Sequence, residues 1–240
     1  LIARLLQGSS VGGEYGTSAT YMSEIATKGS RGFYSGILYV TLIMGQLLAL
    51  AVLMVLQFFV LDAHQLESWG WRIPFVIGAA AAVGALYLRR NLVETEAFKQ
   101  KSATVEAGQL TLLLRHPREV LIVIGLTMGG TLFFYTFTTY MQKFLVNTAG
   151  MDIKTVSNVM LAAMLGFMLL QPAMGALSDR IGRRKCLLLF AGLMTMTAVP
   201  LLNALATVTD PGVAFLLVLM ALAILSLYTS ISGLFKAELF

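Results

Sequence analysis

Long apolar runs, separated by short polar segments, follow one another along almost the whole chain. About 20 consecutive apolar residues are needed to cross the hydrocarbon core of a bilayer. On length and apolar pattern the sequence predicts seven membrane-spanning helices, and hence an all-α, polytopic helical bundle. The predicted spans are approximately Arg4 to Ala26, Phe33 to Leu61, Arg72 to Leu88, Val120 to Leu145, Thr155 to Leu177, Cys186 to Ala206 and Val213 to Phe235.

The composition supports a membrane protein and argues against an enzyme. Hydrophobic residues make up 58% of the chain and charged residues 12%, with a mean hydropathy of +0.80, whereas about a quarter of the residues in soluble domains are charged. The single cysteine, Cys186, excludes an intramolecular disulfide and a cysteine-rich metal site. His64 and His116 have no metal-ligand partner at helical spacing, and a P-loop motif is absent. We therefore expect no metal, no cofactor and no catalysis.

The positive charges are distributed unequally when alternate loops are assigned to opposite sides of the membrane. The side with few positive charges holds Arg72, Lys143 and Lys154. The rich side is expected to be cytoplasmic, and this orientation accounts for the net charge of +5 without a nucleic-acid partner. The cations of the rich side are Lys28, Arg31, Arg89, Arg90, Lys99, Lys101, Arg115, Arg118, Arg180, Arg183, Arg184, Lys185 and Lys236.

The mixed-charge segment between the third and fourth spans predicts a cytoplasmic linker between two helical bundles. On this basis residues 1–88 form the last three spans of an N-terminal bundle, residues 89–118 form the linker, and residues 119–240 form the first four spans of a C-terminal bundle. The chain begins with Leu1 inside a span and ends shortly after another. We therefore expect it to be part of a larger transporter with more helices in each bundle.

The junction between the fifth and sixth spans, Ala176 to Lys185, combines a carboxylate, a glycine and clustered cations. The carboxylate can reach a neighbouring helix or cap a helix N-terminus, and the cations can hold the loop on the anionic inner leaflet. We interpret the junction as a gating loop; alternatively, its cations only set the orientation of the chain. The candidate gating residues are Asp179, Arg180, Gly182, Arg183 and Arg184.

The first predicted span carries two ionisable residues, Arg4 and Glu14. Each costs about 2.5 to 3.5 kcal/mol at the membrane centre unless it faces a partner or water. Arg4 suits a carboxylate substrate, because its planar guanidinium donates two hydrogen bonds, and Glu14 suits proton coupling. The alternatives are a snorkelling charge for Arg4 and a fixed helix contact for Glu14. In the same span Gly8, Gly12 and Gly16 recur at intervals of four, which favours close helix packing.

Polar side chains form stripes on several otherwise apolar spans, and such stripes are expected to line a cavity. Helix-to-helix hydrogen bonding is the alternative for each of them. Arg72 follows two tryptophans at the outer end of the third span, and we expect it to be either an interfacial anchor or a substrate contact. With Arg4, the candidate substrate-binding residues are Tyr39, Gln46, Arg72, Thr131, Tyr135, Thr138, Gln142 and Tyr228.

Six stretches of the chain carry recognisable motifs. One is the loop signature G-x-L-S-D-R-x-G-R-R from Gly175. The other stretches are RLLQGSSVGGEYGTSATYMSE (4–24), GFYSGILYVTLIMGQLLAL (32–50), WGWRIPF (69–75), FYTFTTYMQKFLVNTAGM (134–151) and YTSISGLFKAELF (228–240). Together they resemble the metabolite:proton symporter family within the major facilitator superfamily, and most closely its members that transport 2-oxoglutarate. The resemblance implies that the seven spans correspond to the fourth to tenth of twelve.

The resemblance implies a proton-coupled symporter of a bacterial-type inner membrane, which imports a small dicarboxylate such as 2-oxoglutarate by alternating access. Its expected partners are the carboxylate, protons and the lipid bilayer, with no nucleic acid and no obligate protein partner. The alternatives are a relative that transports citrate, shikimate or a zwitterionic osmolyte, and a membrane receptor or structural bundle that does not transport.

Overall fold

The computed structural model describes residues 2–27, 29–90 and 115–239, and its regular elements there are helices. Besides the α-helices there are two π-helical turns, Leu56–Val60 and Thr136–Tyr140, and one 3-10 turn, Gly70–Arg72, in the described residues. The α-helices are α1 Ile2–Ile25, α2 Arg31–Val55, α3 Ala63–Ser68, α4 Ile73–Arg89, α5 Pro117–Tyr135, α6 Met141–Asn147, α7 Ile153–Ile181, α8 Arg183–Ala206, α9 Pro211–Thr229 and α10 Ser232–Leu239.

The all-α prediction is confirmed, and each of the seven predicted spans is helical. Over the described ranges, however, six helical stretches rather than seven are long and apolar enough to cross a membrane. The exception is α1, whose many glycine, serine and threonine residues lower its hydropathy although it has 24 residues. The six are Arg31–Val55, Gly70–Arg89, Pro117–Asn147, Ile153–Ile181, Arg183–Ala206 and Pro211–Leu239.

The chain forms two compact units, one of Leu1–Thr41 with Glu106–Phe240 and the other of Leu42–Val105. This division falls inside α2 and so differs from the predicted boundaries near residues 88 and 118. The greater part of the predicted linker, residues 91–114, lies outside the described residues. The division into two bundles and a linker therefore stays a prediction.

The core of the larger unit is built around α9, which packs against α7 and α8. Val218, Leu222 and Leu225 of this helix are fully buried. A helix that is apolar all round is stable when neighbours cover it, which explains why α9 takes the central place. Its first turn is capped by the side chain of Asp210, which accepts a hydrogen bond from the backbone N–H of Val213 at 2.9 Å.

The first turns of α2 cross α7 at unusually close range, and glycines make this possible. A Cβ atom at Gly32 would collide with the Gly175 carbonyl oxygen, and one at Gly36 would lie 2.5 Å from the Gln171 carbonyl oxygen. In contrast, Gly12 of α1 has no atom of the described structure within 4 Å of its Cβ position, and the same holds for Gly8 and Gly16. Among the described residues, close glycine packing is found between α2 and α7, and the packing of the α1 glycines stays a prediction.

The junction between α7 and α8 is shorter than the sequence suggested. Helix α7 continues to Ile181 and α8 begins at Arg183, so the predicted loop is reduced to Gly182. Gly182 has φ 93° and ψ 148°, a conformation that side chains on Cβ disfavour strongly. Gly182 is therefore the one residue that connects the two helices, and Asp179 lies on the last turn of α7 rather than on a flexible loop.

Candidate functional site

Asp179 joins the end of α7 to the beginning of α2. Its carboxylate accepts hydrogen bonds from the backbone N–H of Gly32 at 2.8 Å and of Phe33 at 3.0 Å. These groups belong to the first turn of α2, whose N–H groups have no partner within the helix and carry the positive end of its dipole. Both roles that the sequence suggested for Asp179, contact with a neighbouring helix and N-terminal capping, are thus combined in one interaction.

Arg183, the first residue of α8, extends this contact to α8 and α10. Its guanidinium lies 3.1 Å from the Asp179 carboxylate and 3.5 Å from the Glu238 carboxylate of α10, and it donates a hydrogen bond to the Ser178 carbonyl oxygen at 3.3 Å. The contact with Glu238 is an ion pair without hydrogen-bond geometry. Arg180 and Arg184 are exposed. Of the three predicted gating arginines, Arg183 is therefore the one that ties α7, α8 and α10 together.

Aromatic side chains surround the candidate residue Tyr228 in the interior of the larger unit. Its ring stacks on Phe190, with centroids 5.1 Å apart, and fills the space next to Gly130, where a Cβ atom would collide with it. Tyr39 of α2 makes an edge-to-face contact with Phe134 of α5 at 6.2 Å. Rings fixed in this way hold their hydroxyl groups at defined positions, which is a requirement for recognising a small polar ligand.

A third tyrosine, Tyr15, joins α1 to α10. Its hydroxyl and that of Ser232 share a hydrogen bond of 2.5 Å. The ammonium of Lys236, one turn further along α10, lies 5.4 Å from the centroid of the Tyr15 ring. A Cβ atom at Gly233 would lie 2.8 Å from the Ala19 Cβ atom, so the absence of a side chain there lets α10 approach α1 closely.

A buried polar pair, Gln171 and Thr229, lies between α7 and α9. The Thr229 hydroxyl donates to the Gln171 side-chain oxygen at 3.0 Å, and the Gln171 amide donates to the Phe167 carbonyl oxygen at 3.4 Å. Both residues are fully buried. Because buried polar groups are costly without partners, this pair fixes the relative position of the two helices next to Pro172, where α7 lacks a backbone donor.

The polar stripe predicted on the fourth span does not lie on a single face. The π-helical turn Thr136–Tyr140 interrupts the 3.6-residue period after Tyr135. As a result Tyr135 is 58% exposed whereas Thr138 is 5% exposed and donates to the Phe134 carbonyl oxygen at 2.6 Å. Gln142 donates to the Ser157 hydroxyl of α7 at 3.2 Å, a helix-to-helix hydrogen bond. Thr131 is half-buried. Their roles as ligand contacts stay predictions.

The remaining candidate residues, Arg4, Glu14, Gln46 and Arg72, do not form a cluster among the described contacts. Arg4 belongs to α1, and its side chain lies outside the described part of the structure. Glu14 is on an exposed face of α1. In the smaller unit Gln46 is half-buried, and Arg72 donates to the Ser68 carbonyl oxygen at 3.1 Å while its guanidinium lies 4.6 Å from the Trp71 ring centroid. Both contacts of Arg72 are with residues near it in the chain, and its roles as an interfacial anchor or as a substrate contact stay predictions.

Four residues that the sequence interpretation did not select also belong to this interior: Tyr15, Gln171, Thr229 and Lys236. The available signal was a polar residue inside a strongly apolar run, which applies to Gln171 in FMLLQPAM and to Thr229 after AILSLY. From the sequence, Lys236 is indicated only as a cation of the cytoplasmic side. Tyr15 and Lys236 supply a hydroxyl and a cationic group, whereas Gln171 and Thr229 are fully buried and hydrogen-bonded to each other.

The family model of the Major Facilitator Superfamily matches residues 1–239, so the chain belongs to that superfamily. The resemblance noted from its motifs is confirmed, as is the multi-pass membrane location. No solved structure matches the chain significantly.

The curated relatives of the chain are permeases and transporters rather than enzymes. The chain is 58% identical over 240 residues to the alpha-ketoglutarate permease of Escherichia coli K12, covering all of this chain and 55% of that protein. It is 33% identical over 246 residues to the proline/betaine transporter of the same organism, covering 96% of this chain and 48% of that protein. It is 29% identical over 248 residues to the inner membrane metabolite transport protein YhjE of Escherichia coli K12, covering 100% of this chain and 56% of that protein. The chain thus spans about half the length of these curated relatives.

Proposed function

We propose that the protein containing this chain is a proton-coupled symporter that imports a small dicarboxylate such as 2-oxoglutarate by alternating access. The observation that carries the proposal is the 58% identity, over the whole chain, to a protein named alpha-ketoglutarate permease. Ionisable and polar residues inside membrane helices are costly unless they serve a function, so the polar residues of this chain are the candidates for recognising the solute.

The described interior supports a binding role for tyrosine hydroxyls. Tyr228 and Tyr39 are held by aromatic contacts with Phe190 and Phe134. We assign substrate contacts to the predicted set, with Arg4 binding a carboxylate, and proton coupling to Glu14. Because a guanidinium and a carboxylate form paired, charge-assisted hydrogen bonds, an anionic substrate would offset the cost of Arg4 in the membrane.

The Asp179 contact supports a gating role for the α7–α8 junction. Its hydrogen bonds to Gly32 and Phe33 join two helices that are distant in sequence, and they can form only while the two helix ends are close together. Breaking them would leave the first turn of α2 uncapped, so the contact biases the protein towards the state that contains it. We place the junction and the linker in the cytoplasm, and the protein in a bacterial inner membrane.

A zwitterionic osmolyte is the second candidate substrate, because the chain is also 33% identical to a proline/betaine transporter. The two substrates differ in net charge, since 2-oxoglutarate carries two carboxylates and betaine or proline carries one carboxylate and one cationic nitrogen. A site that pairs one cation with each carboxylate would reject a zwitterion, because one of the two cations would be left without a partner.

Counterflow in proteoliposomes tests the proposal directly. The full-length protein would be reconstituted in three parallel preparations, with unlabelled 2-oxoglutarate, proline or betaine inside, and the uptake of the same compound in labelled form would be compared. We expect exchange of 2-oxoglutarate, with net uptake that requires an inward proton gradient and stops on addition of a protonophore. Exchange of betaine or proline but not 2-oxoglutarate would support the second candidate, and binding without exchange would indicate a receptor.

A further inference from the structure

Lys236 is a half-buried cation without a carboxylate partner in the described residues. It follows the buried segment Ser232 to Phe235 on α10, and its ammonium lies 5.4 Å from the Tyr15 ring centroid and 5.8 Å from that of Phe235. Cation–π contacts of this kind offset only part of the cost of removing an ammonium from water. The neighbouring Glu238 is paired with Arg183 instead.

The direction of the Lys236 side chain distinguishes it from a lysine that snorkels to the membrane surface. Side chains on a helix lean towards its N-terminus, which for Lys236 means towards Ser232 and away from the end of α10. The side chain meets Tyr15, which lies ten residues before the end of α1 at Ile25. The ammonium is therefore directed into the contact between α1 and α10 rather than out of it.

The hydroxyl groups next to Lys236 leave one donor unused. Tyr15 and Ser232 have one O–H each, and the hydrogen bond between them occupies only one of these hydrogens. Neither hydroxyl donates to a second acceptor among the described residues. The same tyrosine thus stands between a cation without a counter-charge and a hydroxyl pair with a free donor, and a carboxylate would satisfy both.

We propose that Lys236, with the Tyr15–Ser232 hydroxyl pair, binds one carboxylate of the transported anion. This inference rests on the proposed function and adds to it a position that differs from Arg4. Arg4 precedes Tyr15 by eleven residues on α1, roughly 16 Å along the helix axis, which exceeds the length of a five-carbon dicarboxylate. Lys236 and Arg4 therefore mark two separate substrate positions along α1, because one molecule does not span the distance. The Lys236 position lies nearer the end of the protein at which Asp179 caps α2.

Equilibrium binding of labelled 2-oxoglutarate to the purified full-length protein tests this position. Lys236→Gln removes the charge and is expected to weaken binding about tenfold or more, while Lys236→Arg keeps it and stays within about threefold of wild type. Lys143→Gln, which removes an exposed lysine of α6, is the matched control and should bind as wild type does. Unchanged binding by Lys236→Gln would overturn the inference while leaving the proposed function intact.

Chemical restoration of the charge separates binding from a structural role. Lys236→Cys treated with aminoethyl methanethiosulfonate regains a primary ammonium at nearly the length of lysine, and binding should recover; the uncharged methyl reagent should not restore it. Cys186 is fully buried, and wild-type protein treated in parallel measures any effect of its modification. Failure of both reagents to restore binding by the folded cysteine variant would contradict the inference. If wild-type protein neither binds nor exchanges 2-oxoglutarate, the proposed function fails and this inference fails with it.

Discussion

Asp179 and Gly32 are 147 residues apart in the chain, yet the carboxylate of one accepts a hydrogen bond of 2.8 Å from the backbone N–H of the other. The contact joins the end of α7 to the beginning of α2 where the two helices cross at close range. The carboxylate caps the first turn of α2 with a negative charge, so its loss is expected to weaken both that turn and the crossing of the two helices.

Asp179→Ala should lower transport much more than it lowers the amount of protein in the membrane. A charged hydrogen bond to a helix N-terminus contributes about 1 to 2 kcal/mol, so its loss shifts the equilibrium between access states about 5- to 30-fold. Transport rate per molecule would be measured by counterflow and abundance by immunoblotting. Asp210→Ala removes a capping aspartate of α9 and is the control, which should leave the rate per molecule unchanged. A normal rate for Asp179→Ala would reduce the junction to an orientation signal.

Gly182→Ala should destabilise the protein through backbone conformation alone. No atom lies within 4 Å of the Cβ position, but φ of 93° is strained for alanine by about 1 to 3 kcal/mol. Gly192→Ala is the matched control, because its Cβ position is equally open and it lies inside α8, where alanine is the better helix former. Thermal unfolding of purified protein should show a lower midpoint for the first variant only. Equal midpoints would mean that the junction relaxes freely.

Gly36→Ala should weaken the packing of α2 on α7. Its Cβ atom would lie 2.5 Å from the Gln171 carbonyl oxygen, a backbone atom that can move only with the helix, and overpacking of this kind costs about 1 to 3 kcal/mol. Gly125→Ala, at an open position of α5, is the comparison. The same unfolding measurement should separate the two variants. Similar stability for both would show that the helices separate easily at this point.

The orientation of the junction can be tested with cysteine labelling. The native Cys186 is fully buried and cannot report its side of the membrane, so the exposed neighbour should be used, as Lys185→Cys. A membrane-impermeant maleimide added to intact cells should label Asp210→Cys and spare Lys185→Cys, whereas permeabilised cells should show both labelled. Labelling of Lys185→Cys in intact cells would reverse the predicted topology.

Arg4→Lys should weaken dicarboxylate transport about tenfold or more, about 1.4 kcal/mol, because the ammonium keeps the charge but loses the paired hydrogen bonds of the guanidinium. Arg4→Gln should abolish transport. The apparent affinity and maximal rate in proteoliposomes would be compared with those of wild type. Near wild-type transport by Arg4→Gln would show that Arg4 does not bind the substrate.

The sequence by itself determined which segments are helices, because helical hydrogen bonds are local and a span is recognised from some twenty consecutive residues. It also determined the family, through motifs such as GALSDRIGRR from Gly175. Asp179 and Gly182 could be selected as special from their residue types alone. Even the turn conformation of Gly182 was foreseeable, since glycine is the residue that adopts it without strain.

Tertiary structure decided which faces meet. Glycines recur in both α1 and α2, and only packing distinguishes those of α2, Gly32 and Gly36, as the ones in close contact. A π-helical turn, which local pattern does not reveal, separated Tyr135 from Thr138 on the helix surface. The sequence indicates Lys236 only as a cation at the end of a span. In the structure its side chain contacts Tyr15 across the α1–α10 interface, and this makes it a candidate substrate contact. Contacts between residues more than a hundred positions apart depend on helix approach and rotation, and neither is encoded in the period of a single segment.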